Sequence, residues 1–220
     1  MLTLEQVQKD PYVLAFINHS NRTLDMQGFT EHGVRHARLV AERARMIAMK
    51  IGLSAREQEL AAIAGFCHDM ANFIGRTQHH YWGSMLMVTL FKNECPPDDL
   101  TVLMQAIANH DKEDMKLVHP IAAVMVLADK SDVHHSRVQD TRRKNIQTDI
   151  HDRVNYYTTD NTLIVDRKKR TITLKMKIDT SKVQVIEYFE IFTDRMVYCR
   201  KAAKFLGYKF QLYINEFKLV

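Results

Sequence analysis

The chain is predicted to fold as a mainly α-helical body with a small C-terminal α+β element of β-β-α-β order. Three observations carry that prediction. Glycine and proline number only 7 and 4 in 220 residues, too few for the turns of an all-β protein and suited to long helices. From residue 3 to about 160, apolar residues recur at helical spacing between capping signals. Beyond 161 the period switches to two, with β-branched residues on both sides of a basic turn. Residues 1–160 therefore read as one helical domain. Residues 161–220 read as an appendage too small to bury much by itself. Hydrophobic residues at 46% supply a core and exclude a disordered chain.

Asp10 before Pro11 fits an N-cap with proline at the first helical position, opening a helix that ends near Gly28. Thr30 is the expected cap of the next helix, whose stripe runs from Val34 to Ala48 and stops at Gly52. Ser54 to Glu57 is a capping-box pattern for a helix through the apolar run Leu60–Cys67. A loop is expected around Asn72 to Gln78, then a helix from His79 to Lys92 and another from Pro96-Pro97 to about His110. Pro120 opens an apolar helix leading into Asp129, and one polar helix is expected from Arg137 to Tyr157. Thr162–Val165 and Thr171–Ile178 read as strands, Val183–Leu206 as a helix, and Tyr208–Leu219 as one continuous third strand. Met46, Met49, Met85, Met87 and Met125 are expected in the core. An uncovered strand edge in the appendage would suit a homodimer.

A formal charge of +5 and a pI near 9.0 suit an anionic ligand such as a phosphate ester or nucleotide. The densest basic runs are Arg142-Arg143-Lys144 and Arg167-Lys168-Lys169-Arg170, the second in a hairpin turn. The second reads as solvated charge and the basic residues are otherwise scattered, so nucleic acid is only a weakly supported partner. Three cysteines without CxxC spacing suggest a reducing compartment, and Cys67 reads as an inert buried thiol. The N-terminus lacks a basic region followed by an apolar stretch, and no apolar run approaches the roughly 20 residues of a spanning helix. No signal peptide and no membrane span are expected, which places the protein in the cytoplasm.

The couplet His68-Asp69 closes the apolar run Leu60–Cys67. Burying an imidazole and a carboxylate side by side costs several kcal/mol unless something pairs with them. A divalent metal is a natural partner for both. Asp129, at the end of its own apolar helix, poses the same question, although a backbone donor or an arginine could also answer it. His32 and His36 are spaced i, i+4 and would share a helix face.

Taken together, His36, His68-Asp69 and Asp129, spanning 94 residues, resemble the signature of the HD superfamily of metal-dependent phosphohydrolases. The surroundings match as well: His-Ala-Arg-Leu-Val-Ala from His36, Ala-Gly-Phe-Cys-His-Asp at the couplet, and Leu-Ala-Asp-Lys-Ser-Asp around Asp129. The resemblance covers residues 28 to 140 and implies an HD-type helical bundle. It implies His36, His68, Asp69 and Asp129 as ligands of a divalent ion (Mn, Fe, Co, Ni, Zn or Mg), with Asp69 and His68 as the catalytic pair. His80 and His110 are similar to the extra histidines of binuclear members. They are candidates for a second ion, for substrate phosphate, or for plain helix capping. His79, His32, His134 and His135 read as surface histidines.

The resemblance has one departure. Relatives often continue the couplet as His-Asp-x-x-Lys with the lysine on phosphate, whereas this chain has Asn72. Arg76, Lys112, Lys130 and Arg137 are candidates to supply that charge. The glycine-tyrosine-proline motif of cyclic-dinucleotide phosphodiesterases is also missing after His110, which argues against that substrate. The implied activity is a phosphomonoesterase, phosphodiesterase or nucleotide pyrophosphohydrolase acting through a metal-activated water on a small phosphorylated substrate, a nucleotide by preference. The alternative is a catalytically inactive HD-fold module that binds metal and nucleotide for regulation. A purely structural helical protein with coincidental histidines stands last.

Overall fold

The computed structural model describes residues 1–111, 115–139 and 143–220. By internal contact the chain divides into two compact units, Met1–Asp129 and Lys130–Val220.

The first unit is helical: α1 (Leu4–Lys9), α2 (Pro11–Met26), α3 (Val34–Ile51), α4 (Ala55–Cys67), α5 (His79–Phe91), α6 (Pro97–Ala108) and α7 (Pro120–Lys130), whose last residue opens the second unit. Asp10 caps α2 as expected, its carboxylate accepting from the Tyr12 and Val13 amides, with Pro11 at the first helical position. Ser54 and Glu57 form the reciprocal capping box of α4. Gly52 closes α3 in the left-handed region (φ 91°), where a Cβ would be strained. Thr30 does not cap α3. That helix starts at Val34 behind Gly33, with no side-chain cap, so His32 lies before the helix rather than on its first turn.

Helix α4 is the axis of this unit. From Leu60 to Cys67 every residue is buried, and α1, α3 and α6 pack around it. Such a helix is apolar on all sides because it has no face to give to water. Gly65 sets its distance from α3: a Cβ there would stand 3.0 Å from the Val40 carbonyl oxygen and 3.1 Å from Ala41 Cα. Both neighbours are backbone and cannot swing aside. Gly65→Ala is therefore expected to cost about 1–3 kcal/mol of stability, read as a lower urea midpoint. Burial forces the Cys67 thiol pKa upward and leaves the group inert, as expected. Met87 and Met125 are in the core, but Met49 and Met85 are exposed because the phase of α3 and α5 turns them outward.

The second unit contains α8 (Arg143–Thr148), α9 (Ile150–Tyr156), β1 (Thr158–Asp166), β2 (Thr171–Ile178), α10 (Val185–Phe205), β3 (Lys209–Ile214) and β4 (Phe217–Lys218). The single polar helix expected from Arg137 to Tyr157 is not formed. Asp149 interrupts it and caps α9 through the His151 and Asp152 amides. Helix α9 packs on α10 and β1. The sheet order is β1-β2-β3-β4. The β1–β2 and β3–β4 pairs are antiparallel, and β2–β3 is parallel across α10. The continuous third strand is also corrected. Asn215 (φ 47°) and Glu216 (φ 69°) fold Tyr208–Leu219 into a two-residue hairpin. Helix α10 buries Tyr188, Phe192, Met196 and Cys199 along one stripe. Ile172, Leu174, Met176, Phe210 and Leu212 form the buried face of the sheet.

Candidate metal centre

Three backbone segments of the first unit deliver four side chains to one point. His36 comes from the first turn of α3, His68 and Asp69 from the end of α4, and Asp129 from the last turn of α7. Each is at most 8% exposed. His36 Nε2 lies 3.4 Å from Asp129 Oδ1 and 3.8 Å from Asp69 Oδ2. His68 Nε2 lies 3.2 Å from Asp69 Oδ2 and 3.5 Å from Asp129 Oδ1. The structure thus brings together all four residues singled out in the sequence.

The other oxygen of Asp69 faces a second pair of imidazoles. His79 Nε2 is 3.2 Å and His110 Nε2 3.7 Å from Asp69 Oδ1. Three sets of ligand atoms each lie within 4.8 Å of one another: His36/His68/Asp69, His68/His110/Asp129 and Asp69/His79/His110. Asp69 belongs to the first and the third, one oxygen toward each.

Backbone carbonyls fix three of these rings. His68 Nδ1 donates to Gly65 O (2.9 Å), His79 Nδ1 to Arg76 O (2.6 Å) and His110 Nδ1 to Ile107 O (2.7 Å). With Nδ1 carrying the proton, each ring turns an Nε2 lone pair inward, the tautomer a metal ligand needs. His79 Nε2 and His110 Nε2 then meet at 3.0 Å. Two neutral rings would set lone pair against lone pair, so the arrangement calls for a cation, either a proton or a metal ion. The donor set, imidazole nitrogen and carboxylate oxygen without thiolate, fits a divalent first-row ion.

Burial opposes charge on His68, yet the Asp69 and Asp129 carboxylates hold its pKa up at about 10. Burial also opposes the Asp69 charge, but His68, His110 and His79 keep its carboxyl well below the usual range. The same two carboxylates would favour a divalent cation at this point.

Asn72, at the third position after Asp69, is 1% exposed. Its Nδ2 donates to Asp69 Oδ1 and to the Asp69 carbonyl, both at 2.9 Å. Its Oδ1 accepts from Arg76 Nη1 at 3.0 Å. Arg76 lies 3.8 Å from Asp69 Oδ1 and 3.6 Å from Asp111 Oδ2, with Phe29 under its guanidinium at 5.7 Å. Of the candidate phosphate contacts, Arg76 is therefore at the cluster. Lys130 and Arg137 belong to the second unit. Arg137 is buried there in an ion pair with Asp132 (3.1 Å), and Lys130 Nζ lies 5.9 Å from the Tyr198 ring centre. Lys112 and Arg142 lie outside the described residues.

His79 is the residue the sequence reading missed. It is fully buried rather than on the surface, because the short 3-10 turn Arg76–Gln78 sets the phase of α5 and points its first residue inward. His80 is beside it, 6% exposed, with its ring 6.2 Å from that of His110, and is not in any of the three ligand sets. His32 is also buried. Its Nδ1 donates to Thr30 O at 2.5 Å, and its ring lies 5.6 Å from that of His36.

No curated protein sequence matches the chain. The family model of the HD domain matches residues 33–147, just over half of its length. That stretch contains His36, the couplet, His79, His110 and Asp129. With buried histidines and carboxylates converging as that signature requires, the chain belongs to the HD domain family.

Proposed function

We infer that the protein is a metal-dependent phosphohydrolase that cleaves a phosphate ester or anhydride of a nucleotide. The observation that carries this reading is the divided Asp69 carboxylate. One oxygen faces His36 and His68, the other His79 and His110. In this reading His36, His68, Asp69 and Asp129 hold one divalent ion, and Asp69, His79 and His110 hold a second. A divalent ion there lowers the pKa of water and polarises a phosphoryl oxygen.

The chain's own groups do the rest. Asp69, oriented by Asn72 Nδ2, positions the attacking water. Arg76, held by Asn72 and Asp111, receives the phosphate oxygens through charge-assisted hydrogen bonds. Tyr81 and Trp82, exposed on the first turn of α5, offer aromatic faces to a base. All three thiols are buried and none is in a disulfide, which suits the cytoplasm. Among the described residues no helix is long and apolar enough to cross a membrane.

Protein purified after supplementation with Mn and Ni should carry at least one divalent ion per chain and release phosphate from a nucleotide panel. No stoichiometric metal would overturn the reading. Metal without turnover on any nucleotide would favour the regulatory module, for which Asn72 in place of lysine is the supporting observation.

A further inference from the structure

The charge of the chain is unevenly shared. Residues 130–220 hold nineteen Lys and Arg against eleven Asp and Glu, a net +8, and residues 1–129 hold twelve against fifteen, a net −3. Basic residues that are dispersed in sequence gather in the fold. In a sheet, directly paired residues share a face, so the registers Thr162↔Lys175, Lys175↔Tyr213 and Tyr213↔Lys218 place these four in one row. The row lies on the face opposite Leu174, Met176 and Leu212, which are buried. Lys175 and Lys218 are exposed and Tyr213 is half-buried. Lys175 Nζ is 5.4 Å from the Tyr213 ring centre.

Toward the β1–β2 turn this end of the sheet is strongly basic. Lys209, paired with Thr171, and the turn residues Arg167, Lys168, Lys169 and Arg170 are all exposed. Asp166 is the one acidic residue among them. At the opposite end Asp160, Asp179 and Glu216 line a cavity of about 800 Å³ with Lys175 and Lys177, so the face is polarised along its strands.

We propose that this face binds single-stranded nucleic acid, with the Arg167–Arg170 turn and Lys209 on the phosphates and Tyr213, between Lys175 and Lys218, stacking on a base. The charge selects a polyanion. The aromatic ring set between lysines selects one that has exposed π-faces, which a folded duplex does not offer. The carboxylates Asp160, Asp179 and Glu216 repel phosphate and end the path of the strand just beyond the Lys175–Tyr213–Lys218 row. This site is independent of the metal centre.

The test is fluorescence anisotropy of labelled oligo(U) and oligo(dT) twelve-mers with the full-length protein at two salt concentrations. Both ligands present the same phosphates and similar pyrimidine faces, differing in the 2′-hydroxyl and the thymine 5-methyl group. The double variant Lys175→Gln/Lys218→Gln should weaken binding about tenfold or more and lower the salt slope by roughly one to two. Tyr213→Leu should lose roughly tenfold through stacking, and Tyr213→Phe should bind like the wild type. The charge-matched control Lys50→Gln/Lys92→Gln, on exposed positions of the first unit, should leave affinity unchanged. The proposal is overturned if neither oligonucleotide binds at low salt. It is equally overturned if the control weakens binding as much as the sheet variant, or if a duplex of the same length binds as tightly as the single strands.

Discussion

Asp69→Ala is expected to lose phosphohydrolase turnover by a factor on the order of 10³ or more, together with most of the bound metal. The magnitude follows from how much converges on one carboxylate. Asp69 accepts from Asn72 on Oδ1, faces His79 and His110 with that same oxygen, and faces His36 and His68 with the other. Without it, the imidazoles of His36 and His68 keep only Asp129, and His79 keeps only the more distant Asp111 (3.9 Å). His68 then loses the first-named of the two charges that support its cationic form, and a divalent ion loses its one shared anionic ligand. Asp69→Asn separates shape from charge: it preserves volume and one hydrogen-bond-accepting oxygen, removes the charge, and should fail on metal content in the same way. Metal stoichiometry by mass spectrometry and steady-state phosphate release check both variants. Wild-type turnover in Asp69→Ala would remove the residue from the chemistry.

The parts of this centre that were legible from the residues alone share a property. Three of the four ligands close an apolar run, so their cost of burial is visible without coordinates, whereas His36, between Arg35 and Arg38, was legible only through the resemblance. His68-Asp69 follows Leu60–Cys67, and Asp129 follows Ile121–Ala128. His79 was not legible because His79 and His80 are adjacent, and only the phase of α5, set by the 3-10 turn before it, decides which ring enters the cluster. Capping was readable where a side chain does the capping, at Asp10 and Ser54. It failed at Thr30, because α3 begins later, behind a glycine with no side chain to signal a start. In the second unit the alternation through Tyr208–Leu219 concealed a hairpin. Its turn is Asn215-Glu216, and a glutamate at positive φ carries none of the glycine signal on which turn reading depends.

Arg76 carries the second large expectation, because it decides where the missing lysine's charge went. The position after the couplet that would hold a lysine holds Asn72, and Asn72 bonds at once to the Asp69 carboxylate and to the Arg76 guanidinium. An amide of that length cannot reach a phosphate as a cation, but it can hold one that does. Arg76→Ala should therefore raise KM for a phosphorylated substrate and weaken inhibition by inorganic phosphate by about 10–100-fold, the loss of one charge-assisted hydrogen-bond pair. Metal content should not change. Asn72→Lys in the Arg76→Ala background returns a cation to the same pocket from the other side chain, and it should recover part of the phosphate affinity. In the presence of Arg76 the same substitution sets two cations together beside Asp69 and should impair it. If Arg76→Ala instead lost metal in proportion to activity, the guanidinium would be a support for Asp69 through their 3.8 Å ion pair. Phosphate inhibition in the metal-loaded protein would then be that of the wild type, so the two roles separate on one pair of measurements.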